Sequence, residues 1–218
     1  MTKLALLLVA GLLAAAPEVD ARQIQSRPVQ RGALPRQAAI RGNLVLAREW
    51  TDRGGRNFLV LSRTPEATSR ARCDGSDRCI DRELYAYHYV QRGNTYALLW
   101  SATDFVRGCE FDLELKFNPR SVAVTDLDAD GTAETSFMYA RGCRSDVSQL
   151  EMKLIMHEGA TKYALRGSSD LMTEIGAQFG TSRMTIDPSF NAAPPSFRAF
   201  AVQQWNRFKR EMTWPADG

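Results

Sequence analysis

The chain has 218 residues, with 28 Lys and Arg against 25 Asp and Glu, and 44 % of its residues are hydrophobic. That length suggests one domain, with enough chain to bury a core unaided by metals or disulfides. The net charge of +3 is too small and too dispersed to argue for a nucleic-acid partner.

Met1-Thr2-Lys3 opens the chain, and residues 4–16 are an uninterrupted run of Leu, Ala, Val and Gly. A membrane span needs roughly 20 apolar residues, whereas the hydrophobic region of a secretory signal needs about 7–15. The run therefore predicts a signal peptide over 1–21. Val19-Asp20-Ala21 places small residues where a signal peptidase reads them, so cleavage is expected after Ala21, with Ala14-Ala15-Ala16 as the alternative site. Cleavage removes Lys3, Glu18 and Asp20 and raises the net charge to +4. No Cys follows the run, so a lipid anchor is not expected. The mature chain is expected in the periplasm or outside the cell, with no transmembrane span.

Residues 22–40 hold Gln, Arg and Pro without an apolar period and predict a mobile mature N-terminus. A single β-rich domain is expected over 41–214. Residues 44–48 and 58–62 read as a hairpin, with a turn over 50–57. Residues 63–82 are polar and predict a long loop carrying Cys73 and Cys79. Residues 83–91 and 95–101 form the next predicted hairpin, joined through Arg92-Gly93-Asn94. Tyr85, Tyr87 and Tyr89 alternate there with period two and line one face of a strand. That face is either packed inside a sheet or a platform for stacking sugars, and Trp50 and Trp100 carry the same ambiguity.

Phe111, Leu113 and Leu115 alternate with Asp112, Glu114 and Lys116, the pattern of a half-buried antiparallel strand. Residues 121–125, 135–140, 150–157 and 161–166 continue the series, with a turn at Glu158-Gly159-Ala160. Residues 168–195 lose the rhythm. A helix is then expected over about 196–212, started by Pro194-Pro195-Ser196, with Phe197, Phe200, Ala201, Trp205, Phe208 and Met212 on one face. The expected fold is mainly β: antiparallel sheets in a sandwich, open barrel or propeller-like set, closed by one C-terminal α-helix.

Four cysteines behind an export signal favour disulfides. Of the three pairings, Cys73–Cys79 and Cys109–Cys143 are favoured. The spacings lack a Cys-x-x-Cys pair, and neither His is near a Cys in sequence, which argues against zinc.

The most informative segment is Val124-Thr125-Asp126-Leu127-Asp128-Ala129-Asp130-Gly131-Thr132-Ala133-Glu134. Three carboxylates at every second residue curl around a hard cation if the chain turns sharply, and Gly131 permits such a turn. Asp126, Asp128 and Asp130, the carbonyl of Thr132 and the carboxylate of Glu134 form a candidate Ca²⁺ site. An EF-hand is excluded, because its twelfth position would be Phe137. The loop resembles the Asp-rich calcium loops between strands of integrin-type propeller repeats, which place their last acid at the ninth position, where Glu134 stands. One copy does not support a whole propeller. The competing readings are a plain Asp- and Gly-rich turn and neutralisation by nearby Arg. An all-oxygen, flexible ligand set favours Ca²⁺ over Mg²⁺.

Signals for catalysis are weak. His88 and His157 are the only bases that titrate near neutral pH. His88 falls between apolar neighbours in a strand, and His157 is expected to be half exposed at a strand end. There is no Gly-x-Ser-x-Gly elbow, no His-Glu-x-x-His and no phosphate loop. No catalytic residue is assigned.

Three blocks carry a family resemblance: Val124-Thr125-Asp126-Leu127-Asp128 with Asp130-Gly131 and Ala133-Glu134; Cys143-Arg144-Ser145-Asp146-Val147-Ser148; and Leu154-Ile155-Met156-His157-Glu158-Gly159 with Lys162-Tyr163-Ala164-Leu165-Arg166-Gly167. Together they resemble a family of small exported bacterial proteins, some described as surface polysaccharide biosynthesis proteins. Gln149 departs from it, standing where the family has Pro. The resemblance spans roughly residues 42–212 and implies an envelope role in surface polysaccharide production or handling, without transferring any catalytic residue. The expected function is thus a non-enzymatic exported envelope protein. The alternatives are a periplasmic module binding envelope glycan or an envelope protein, and a hydrolase with an unrecognised carboxylate site.

Overall fold

The structure, a computed structural model, describes residues 22–38, 40–70, 73, 79–172, 178–210 and 213–215. The signal segment 1–21 and residues 74–77 between the first two cysteines lie outside the described residues.

Antiparallel hairpins build most of the chain. Two short strands come first, β1 (Arg22–Gln23) and β2 (Arg27–Pro28). The long β3 (Asn43–Asp52) and β4 (Gly55–Arg63) follow, then the short β5 (Ala67–Thr68). Next come β6 (Ile80–Arg92) with β7 (Thr95–Cys109), and β8 (Asp112–Asp126) with β9 (Glu134–Arg144). β10 (Glu151–Glu158) and β11 (Thr161–Ser168) complete the long strands. Among the described residues, the unrhythmic stretch after them holds β12 (Leu171–Met172), β13 (Gln178–Gly180), β14 (Met184–Ile186) and a short 3-10 turn (Pro188–Asn191), before helix α1 (Pro195–Phe208).

One sheet runs β2-β3-β4-β6-β5, with β7 also paired to β6, and the other runs β1-β8-β9-β10-β11-β14. Of the three expected architectures, this is the sandwich; no barrel closes. The sheets bury Trp50, Leu59, Leu61, Leu84, Ala86 and Trp100 of the first against Leu115, Phe117, Phe137, Tyr139 and Ile155 of the second. Period-two alternation leaves each sheet a second face. On the second sheet, Met138, Met152, Leu154, Met156 and Leu165 point the other way and pack against α1 through Phe197, Ala201, Trp205 and Phe208.

The second face of the first sheet carries Tyr85, Tyr87 and Tyr89, which are buried. Val29, Leu34, Ala38 and Ile40 cover them, so the segment expected to be loose is laid over this stripe. The same segment pairs with both sheets, Arg22 and Gln23 with β8 and Arg27 and Pro28 with β3. The tyrosines are therefore not an open sugar platform, and Trp50 and Trp100 are core residues as well.

Three local expectations change. Helix α1 ends at Phe208, short of the expected 212, and Met212 lies outside the described residues. The 50–57 turn shrinks to Arg53-Gly54 between β3 and β4, because Trp50 and Asn57 are buried and continue their strands. Ser196 does not cap α1. Pro194 holds the cap position without a side-chain bond, and Pro195 opens the helix, where its fixed φ and missing N–H cost nothing. Both favoured disulfides are present, Cys73–Cys79 and Cys109–Cys143. The second joins the end of β7 to β9 and so fastens one sheet to the other. Among the described residues no helix is long and apolar enough to cross a membrane.

Candidate metal centre

The acidic segment is the connection between β8 and β9. Asp126 ends one strand and Glu134 begins the next. The chain reverses through two left-handed residues, Ala129 at φ 60° and Gly131 at φ 85°. Its acids brace the turn. Asp126 Oδ1 accepts from Gly131 N–H at 3.3 Å, and Asp128 Oδ1 from Asp130 N–H at 3.3 Å. Asp130 accepts from the N–H and hydroxyl of Thr132 at 2.6 and 3.3 Å. The loop also docks on the β3–β4 turn of the other sheet. Arg53 N–H donates to Gly131 O at 2.8 Å, and Ala133 N–H to Asp52 Oδ2 at 3.2 Å. Asp52 is itself held by Trp50 Nε1 and Gly54 N–H.

Not all predicted ligands share one shell. Asp126, Asp128 and Asp130 each bring an oxygen within 4.8 Å of the others. Glu134 groups instead with Asp128 and with Glu158, at the same spacing. Glu158 closes β10 and stands opposite Glu134 in the β9–β10 register. For Thr132, the hydrogen bonds run to Asp130.

Glu134 is the unusual group. Its side chain is 0 % exposed. Oε2 accepts from Thr125 Oγ1 and Leu127 N–H, both at 2.9 Å, while Oε1 has no hydrogen-bond partner. Burial pushes its pKa up to about 7, against those two bonds and with help from the charge of Asp128. Burial likewise raises the pKa of Glu158, and the charges of Asp128, Asp130 and Asp126 add to it. Among the described residues, none of these five carboxylates forms an ion pair with Lys or Arg. Arg53 reaches only the carbonyl of Asp130, at 3.5 Å. An oxygen-only, electron-rich cluster around a buried carboxylate suits a hard divalent cation.

Sequence reasoning missed Glu158 and Asp52. Glu158 lay in the predicted turn after residues 150–157, whereas it is the last residue of β10, and its distance from the loop depends on the register of β10 against β9. Asp52 lay in the predicted turn, and its part depends on sheet-to-sheet docking. The histidines belong to the core instead. His157 is 4 % exposed rather than half exposed, and both of its ring nitrogens lack partners. His88 is bonded through Nε2 to Asn57 Oδ1 at 3.0 Å. Both rings pack on Trp100, with centroids 5.6 Å away for His88 and 3.9 Å for His157. Burial drops their pKa values to about 4 for His88 and about 3 for His157. No family model, curated protein or solved structure matches the chain.

Proposed function

We propose that the chain is a calcium-stabilised β sandwich of the bacterial envelope that acts by binding rather than catalysis. The observation that carries this reading is Glu134, a fully buried carboxylate with one unpartnered oxygen beside Asp128 and Glu158. Leaving such a group unsatisfied costs about 1–3 kcal/mol or more, and a cation removes that cost. Two disulfides agree with an oxidising compartment, as does the signal-like start of the chain. The role in surface polysaccharide production or handling rests on the resemblance around Val124–Glu134 and Cys143–Ser148. Envelope glycan or an envelope protein is the partner class.

Calorimetry on the mature protein tests the reading. Binding to the native state alone should stabilise by about 2.7 kcal/mol at a hundred times the dissociation constant. Asp126→Ala with Asp130→Ala should remove most of that gain. Identical melting in chelator and in millimolar calcium would sink the calcium reading. Titrating envelope polysaccharide into the calcium-loaded protein addresses the partner, and the absence of heat there counts against the glycan role.

A further inference from the structure

The acids at this end of the sandwich divide into two triads that share one member. Asp126, Asp128 and Asp130 form the outer triad, and Asp128, Glu134 and Glu158 the inner one. In each, the oxygens lie within 4.8 Å of one another, the width of one calcium shell with its metal–oxygen distances of about 2.3–2.6 Å. Asp126 and Asp130 do not join the inner triad, and Glu158 does not join the outer one. A single-ion loop would instead use Glu134 at its ninth position to complete the outer shell.

Charge points the same way. Five carboxylates meet without an ion-pairing Lys or Arg among the described residues. One divalent cation offsets two of those charges, and two offset four. The inner triad also has its own sign of a missing ligand. Glu134 Oε2 is already engaged by Thr125 and Leu127, and Oε1 is enclosed with no donor. A buried carboxylate oxygen with no donor is unusual in a folded protein.

We propose that the cluster seats two divalent cations side by side, an outer one in Asp126–Asp128–Asp130 and an inner one in Asp128–Glu134–Glu158, with Asp128 bridging them. This rests on the calcium reading above and extends it from one ion to two. The outer ion ties the end of β8, at Asp126, to its own loop. The inner ion joins two strands to the loop, because Glu134 begins β9, Glu158 ends β10, and Asp128 lies in the loop after β8.

Native mass spectrometry and isothermal titration with calcium, on mature protein stripped by chelator, test it. Two ions per chain are expected for the wild type and one for Glu158→Gln. Asp130→Asn should weaken one ion at least tenfold and spare the other, and Asp128→Asn should weaken both. One ion in the wild type overturns the two-ion arrangement without any variant. Two ions with Glu158→Gln unchanged within twofold overturn the inner seat as assigned. No ion at all overturns the calcium reading itself.

Discussion

Between the sheets, the His88 and His157 rings stay neutral at pH values where a free histidine takes a proton. Burial lowers His88 from its ordinary 6.5 to about 4, against the nearby charge of Asp52. Below pH 6.5 the unfolded chain therefore binds a proton that the native state refuses. The stability tied to His88 is complete above pH 6.5 and drains away as the pH falls toward 4. Over that window one such group contributes a slope of up to about 1.4 kcal/mol per pH unit. His88→Gln retains an N–H donor for Asn57 Oδ1 and removes the titration. Urea unfolding at several pH values should show the variant losing stability less steeply than the wild type between pH 6.5 and 4. Equal slopes would mean that the ring is protonated in the folded protein. The same enclosure explains why His157, which looked half exposed beside Glu158, is no candidate base: Trp100 lies against its ring.

At the scale of an element, the β8–β9 loop depends on its backbone as much as on its acids. Gly131 has φ 85°, a conformation that a side chain resists, although a Cβ there would meet only Arg53 at an ordinary 3.6 Å. Gly131→Ala should therefore cost about 1 kcal/mol through the backbone alone, and Gly131→Asn less, because Asn tolerates that region. Urea midpoints measured in chelator give the comparison, and an unchanged Ala variant would remove Gly131 from any role in shaping the turn. This loop was legible in the sequence because its acids and its glycine are contiguous. Helix α1 was legible for a similar reason: Phe197, Phe200, Ala201, Trp205 and Phe208 repeat at the helical period, and that face is the buried one. Glu158 was not legible. It reaches Glu134 only through the β9–β10 pairing, and residues 145–150 between those strands are too long for a tight turn that would set the register. The tyrosine stripe shows the other limit. Period two revealed that Tyr85, Tyr87 and Tyr89 share a face, but their cover comes from Val29, Leu34 and Ile40, in a segment with no period at all.

Across the whole molecule, the two sheets are fastened along one seam that follows β9, met at one end by the β3–β4 turn of the first sheet and farther along by β7. At one end the acidic loop docks on Asp52 and Arg53. In the middle, Asp104 of β7 accepts from Tyr139 Oη at 2.7 Å, Arg141 at 2.8 Å and Lys153 Nζ at 2.6 Å. Burial works against the charge of Asp104, yet Lys153, Tyr139 and the Phe105 N–H hold its pKa down to about 2. At the far end, Cys109–Cys143 closes a loop of 34 residues. Removing that bridge as Cys109→Ala with Cys143→Ala should cost about 2–4 kcal/mol. Glu134 and Cys143 lie near opposite ends of β9, roughly 30 Å apart at about 3.3 Å per residue. Effects at sites so far apart, with no shared partner, add to within about 0.5 kcal/mol. The stabilisation by calcium should therefore be the same in the bridgeless variant as in the wild type, measured by denaturant unfolding at matched calcium. Loss of the calcium gain in that variant would mean that the loop end forms only when the far end is already closed, and the seam would then have to be treated as one cooperative unit.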